Sequence, residues 1–174
     1  MMQARLPLPE SSTLTPEQRR IHDSILATRG NLSGPFLAWL HVPGLASPAE
    51  QLGAFCRYGT SFALVESELL ILCVARHYHC EGERLIHEPI AIQAGLPPEA
   101  VAALRADRAP ELTDARQALL VRLADALLID KRWTDDLYAE GLAVFGTQGM
   151  VELVGVLGYY ALTAYTLNAF DMRP

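Results

Sequence analysis

Cysteine is scarce in this chain of 174 residues: there are three, Cys56, Cys73 and Cys80. Their odd number and their spacing lay out no disulfide framework, and free thiols of this kind suit a reducing compartment. Cys56 and Cys73 stand among Phe55, Leu72 and Val74, surroundings in which a buried, inert thiol is expected. A basic block is missing as well. The formal charge is −6 and Lys and Arg do not cluster, which argues against nucleic acid and leaves a small molecule or a protein as partner. Met1 to Pro9 hold no charged stretch leading into an apolar one, so no secretory leader is read and a cytoplasmic location is expected. Phosphate-cradling glycine loops, internal repeats, β-alternating segments and long linkers are absent too.

What is present reads as helix. A chain of this length favours one domain and buries about 70% of its unfolded surface, enough for a real core. Thr15-Pro16-Glu17 opens a first helix that Gly30-Asn31 stops, and Asn31 to Gly34 form a polar turn, so residues 1–34 are expected as a peripheral N-terminal helix and turn on a core of residues 35–174. Pro35 to Leu40 read as a short helix ended by Val42-Pro43-Gly44, and Ser47-Pro48 as the start of the next. Further helices are expected from Val65, from about Cys80 to Gly95, from Pro98 to Arg105, from a Thr113 or Asp114 cap to Ile129, from Thr134 to Phe145, and from Thr147 onward. The expected fold is all-α, a compact helical bundle in a single domain. Leu153 to Phe170 is uncharged and near the minimum length of a membrane span. Its glycines, threonines, Asn168 and three tyrosines argue instead for a helix buried in a bundle or packed on another subunit, and no membrane partner is expected. That same apolar helix suggests a homo-oligomer.

Chemistry gathers in one stretch, Glu66 to Gly95, ESELLILCVARHYHCEGERLIHEPIAIQAG. On a helix advancing about 100° per residue, Cys80, Glu83 and His87 fall within roughly 60° of one another. Glu68 on the preceding helix has Ile71, Leu72 and Ala75 at helical spacing, so its carboxylate turns toward the core and needs a partner there. Glu83 and His87 can form a carboxylate-tuned imidazole for proton transfer, or an ordinary surface pair worth roughly 0.3 kcal/mol. Cys80 can be a nucleophile, pocket lining or core filler; near a helix N-terminus its pKa is drawn down, while Glu81 and Glu83 push it back. His77, His79, Cys80, Glu83 and His87 together look rich in metal ligands, but His77 and His79 point about 160° apart on a helix, so no metal site is expected. His79 is a candidate for the pocket border and His77 for core or interface. Arg76 and Arg84 flank the motif as candidates for an acidic group, Arg84 at the pocket edge about 40° from Cys80. Trp39, His41, Tyr159, Tyr160 and Asn168 are candidates for pocket walls or subunit contacts.

Glu68, then C-x-x-E-x-x-x-H at Cys80, Glu83 and His87, then A-x-x-A-G-L from Ala91 to Leu96 resembles the carboxymuconolactone decarboxylase and alkylhydroperoxidase D-like family. The resemblance runs from about Phe36 through the C-terminal GYYALTAYTLNAF. It implies small carboxylated lactones, carbon acids or hydroperoxides as substrates, no cofactor, and pockets between helices that often meet at oligomer interfaces. The family's peroxidase branch carries a C-x-x-C pair with a histidine between, where this chain has Glu83 and Gly82, so a two-thiol cycle cannot run on Cys80 alone. A decarboxylase-like general acid–base reaction at His87, tuned by Glu83 and assisted by Glu68, is therefore expected. A peroxidase acting through Cys80 and a non-catalytic oligomeric binder of small molecules are the alternatives.

Overall fold

The structure is a computed structural model and describes residues 4–30 and 32–173. Among these residues there is no β-strand; the chain folds as helices α1 (Pro16–Arg29), α2 (Pro35–Trp39), α3 (Pro43–Tyr58), α4 (Leu64–His77), α5 (Glu81–Gln93), α6 (Pro98–Arg105), α7 (Ala115–Asp125) and α8 (Asp135–Ala169). The expected all-α bundle is thus the observed architecture.

At its centre is α4, which packs against α5, α6, α7 and α8. Every residue of α4 from Glu66 to Arg76 is buried, which is what a helix apolar around most of its circumference must do in water. Leu69, Leu70 and Ile71 are at most 1% exposed, each contributing about 1.5–3 kcal/mol through burial. Several charged groups carried into this core are matched. Glu66 accepts from Arg116 Nε at 2.5 Å and from the Ala63 N–H at 2.9 Å, Arg76 pairs with Asp125, and Glu88 pairs with Arg105. On α8, Glu152 accepts from the Ser61 hydroxyl and N–H at 2.6 and 2.8 Å and from Gln148 at 2.8 Å. Burial alone would push the Glu152 carboxyl up, and these hydrogen bonds bring it below its ordinary range.

Local signals set most helix ends. The Thr15 hydroxyl accepts from the Gln18 N–H while Gln18 reaches back to the Thr15 N–H, and Gly30, left-handed at φ 73°, closes α1. The polar turn expected at 31–34 lies partly outside the described residues, at Asn31. Asp114 caps α7, whose expected continuation to Ile129 is a widened π-helical turn over Ala126–Asp130.

One boundary differs from the expectation. Pro43 is the first residue of α3, not part of a stop, and Pro48 lies inside that helix. Near the start of a helix a proline forfeits a single backbone bond, here the one to the Gly44 carbonyl, and the face formed by Ala46, Ala49, Gly53 and Cys56 is buried across it. In α8 the break expected between Phe145 and Thr147 is at Gly146, at φ 65° and ψ 177°. By length and composition α8 could cross a bilayer; here one side of it packs on α2, α3, α4, α5 and α7.

Candidate active site

Four helices deliver side chains to one cavity. The last turn of α3 brings Arg57 and Tyr58, α5 brings Glu83, Ile86, His87 and Ile90, and α8 brings Tyr159, Tyr160, Thr163 and Leu167. Ser33 to Phe36 form the remaining wall of a cavity of about 240 Å³. That wall is held by aromatic contacts of Trp39 with Phe36 and Tyr159, at ring centroid separations of 5.3 and 6.2 Å, and by the Trp39 Nε1–H donating to the Thr166 hydroxyl at 3.0 Å.

His87 is clamped between two carboxylates. Its Nδ1 lies 2.6 Å from Glu68 Oε2 and its Nε2 3.0 Å from Glu83 Oε2, with all three side chains at most 7% exposed. Glu83 comes from the same helix one turn back, so its reach to Nε2 follows from the four-residue spacing. Glu68 arrives from α4, and its other oxygen holds Arg57 Nη1 at 3.2 Å. Nη1 also lies 3.4 Å from Nδ1, so guanidinium and imidazole share the one carboxylate. Burial by itself pushes the His87 imidazole down; the hydrogen bonds and charges of Glu68 and Glu83 more than reverse this, and its pKa is raised. With a carboxylate oxygen at each nitrogen, the surroundings favour the protonated ring, which donates through both nitrogens. The edge-on Tyr160 ring, centroid 5.5 Å from that of His87, fixes its plane.

The sequence-derived candidates separate clearly in space. Glu83 and His87 line the cavity together, whereas Glu68 lies behind His87, outside the lining, as its orienting partner. Cys80 does not share their stripe. It is the N-cap of α5, with extended backbone at φ −88° and ψ 97°, which turns its side chain off the helical face and into the core at 0% exposure. Burial pushes its thiol up to about 11, outweighing the nearby N–H groups of Glu83 and Gly82, so the mild activation considered from its place near a helix start does not occur. Cys56 and Cys73 are buried as expected, with thiols pushed up to about 11 and about 12.

His79 is exposed, in left-handed backbone at φ 48° after α4, and with His77 and Arg76 borders a different cavity. Arg84 lies 4.0 Å from Glu81 and does not line the site cavity. Of the wall candidates, Tyr159 and Tyr160 line it, while Trp39, His41 and Asn168 do not: His41 Nε2 lies 2.7 Å from the Pro7 carbonyl, and Asn168 donates to the Tyr78 carbonyl at 2.7 Å. Arg57 went unrecognised in the sequence. The signal was indirect: a core-facing Glu68 requires a cation, and Arg57, preceded by Cys56, is the only basic residue of α3.

Neither a family model nor a curated protein matches the chain. Among solved structures, the alkylhydroperoxidase AhpD core of an uncharacterized peroxidase-related protein from Ralstonia eutropha JMP134 matches with a TM-score of 0.79 at 16% identity, covering 98% of this chain and 92% of that one. An uncharacterized peroxidase-related protein from Silicibacter sp. TM1040 matches with a TM-score of 0.78 at 18% identity, covering 98% and 91%. The match spans nearly the whole of both chains: this protein has the fold of the alkylhydroperoxidase AhpD core.

Proposed function

We propose that the protein is a decarboxylase-like enzyme that moves protons to and from a small carboxylated lactone or related carbon acid by general acid–base catalysis. The observation that carries this reading is the buried chain Glu83–His87–Glu68, whose first two members line a cavity sized for a small molecule. Both ring nitrogens of His87 are engaged, so the group that meets the substrate is Glu83, which holds Nε2 through Oε2 and lines the cavity. His87 is the proton reservoir behind it and Glu68 the counter-charge that keeps the reservoir filled. In a decarboxylation the C–C bond breaks, carbon dioxide leaves, and the electron pair is held as an enolate. The Nε2 proton passes to Glu83 and from Glu83 to carbon, and solvent replaces it.

Carboxylated lactones and β-keto acids in deuterated water test this, with carbon dioxide release and deuterium entry at the α-carbon as readouts. Glu83→Gln and His87→Gln are expected to lose about 10²–10⁴-fold in turnover while Cys80→Ser retains it. Full turnover by Glu83→Gln on a substrate of the parent protein sinks the reading. A thiol peroxidase is the second reading, favoured by the peroxidase-related description of both structural neighbours. Against it, Cys80 is wholly buried with a raised pKa. Dithiol-dependent consumption of an added hydroperoxide that disappears in Cys80→Ser would establish it instead.

A further inference from the structure

We infer that Arg57 and Tyr160 form an oxyanion site for the enolate of a small carbonyl substrate, which makes them catalytic residues of the same cavity. The inference rests on the proton-transfer reading above and adds the place where the negative charge goes.

The ionic chain is bent, with both ends in one cavity. It runs Glu83, His87, Glu68, Arg57, and of these Glu83, His87 and Arg57 line the cavity while Glu68 does not. A substrate there meets a carboxylate from α5 on one side and a guanidinium from α3 on the other. Tyr160 lines the same cavity, its ring edge-on to His87 at 5.5 Å between centroids, and its hydroxyl feels the charges of both Glu83 and Arg57. A guanidinium only donates and a protonated phenol can donate its O–H, so both side chains offer hydrogen-bond donors to the cavity they line. Burial, with Glu83 adding to it, pushes the Tyr160 hydroxyl well up, and the phenol stays protonated and able to donate.

The balance of charge supports this assignment. With His87 protonated, Arg57 and His87 offset Glu68 and Glu83, and the four groups carry no net charge. When an α-C–H bond breaks, its proton goes to Glu83 and its electron pair to the carbonyl oxygen. One negative charge thereby moves across the cavity, from the carboxylate side toward the guanidinium and phenol side, without changing the total. Donors fixed in advance where charge develops are what such a step requires. The substrate class is a small carbonyl compound with an acidic α-hydrogen or an α-carboxylate leaving as carbon dioxide, its oxygen on Arg57 and Tyr160 and its apolar part against Phe36, Ile86 and Leu167.

A phenolate mimics the enolate and reports its own ionisation by absorbance, so 4-nitrophenol can probe the site without any turnover. The parent protein is expected to bind the phenolate at least about tenfold tighter than the neutral phenol, lowering the probe's apparent pKa by about one unit or more. Arg57→Met is expected to abolish that preference, Arg57→Lys to retain part of it and Tyr160→Phe to reduce it. Glu83→Gln is expected to strengthen phenolate binding, because a like charge is removed. Equal affinity for both forms, no binding by either the parent protein or Glu83→Gln, or an unchanged preference in Arg57→Met of parental Tm overturns the inference. The two readings fail separately. Deuterium exchange that depends on Glu83 without phenolate preference leaves proton transfer standing and removes the oxyanion site. Phenolate preference with exchange indifferent to Glu83→Gln does the reverse.

Discussion

Protonation of His87 links the site to stability. Its pKa is raised in the fold, so its stabilising charge is fully present below the unfolded value of about 6.5 and is lost as pH rises through the higher folded value. Urea unfolding from pH 6 to 9 is therefore expected to show the parent protein losing stability relative to His87→Gln as pH increases. Glu68→Gln strands Arg57 beside a neutral amide and is expected to cost about 3 kcal/mol in the same assay at pH 7. The three thiols are buried, so iodoacetamide at pH 8 is expected to label none of them in the native protein and all three in urea, as counted by intact mass. At this scale the sequence was partly legible. The spacing of Glu83 and His87 and the apolar neighbours of Glu68 read correctly, because each is a local property of one helix. Cys80 read as a member of the same stripe because angular spacing presumes helical backbone, which an N-cap lacks.

Among the helices, breaks were easier to read than continuations. Gly146 interrupts α8 at φ 65° and ψ 177°, a conformation that only glycine adopts at ease, and Gly146→Ala is expected to destabilise by about 1–3 kcal/mol in thermal or urea unfolding. Gly158 is the opposite case. It sits mid-helix on the exposed face with open space where a Cβ would go, so Gly158→Ala is expected to stabilise by about 0.5–1 kcal/mol. Pro48 shows why continuations are harder: its chemistry signals a helix start, and only the packing of the α3 face shows that the helix began at Pro43. Gly82 owes its identity to packing too, since a Cβ there would come within 3.2 Å of Leu167 and of the Met172 carbonyl, where α5 meets the C-terminal segment.

For the molecule as a whole, α8 is the element that bears on assembly. Val151, Val154, Leu162 and Tyr165 stand 36–66% exposed along one side of it, an apolar row opposite the face that lines the site. The homo-oligomer suggested by the sequence predicts a mass above 19.1 kDa in sedimentation equilibrium, reduced by Val151→Asp with Val154→Asp. Retention of the monomer mass at all concentrations would remove that expectation.

Sequence alone determined the all-α class, most helix starts and stops, the burial of Cys56 and Cys73, and the pairing of Glu83 with His87. These follow from caps, glycines, prolines and the helical period, which act within a few residues. Tertiary structure alone decided that Glu68 backs His87 instead of lining the cavity, that Cys80 is withdrawn into the core, and that Arg57 joins Tyr160 in the lining. Arg57 and Tyr160 are 103 residues apart in the chain, and no local rule relates them. They meet because the end of α3 and the buried face of α8 pack together at the cavity, bringing a cation to the carboxylate that α4 carries into the core.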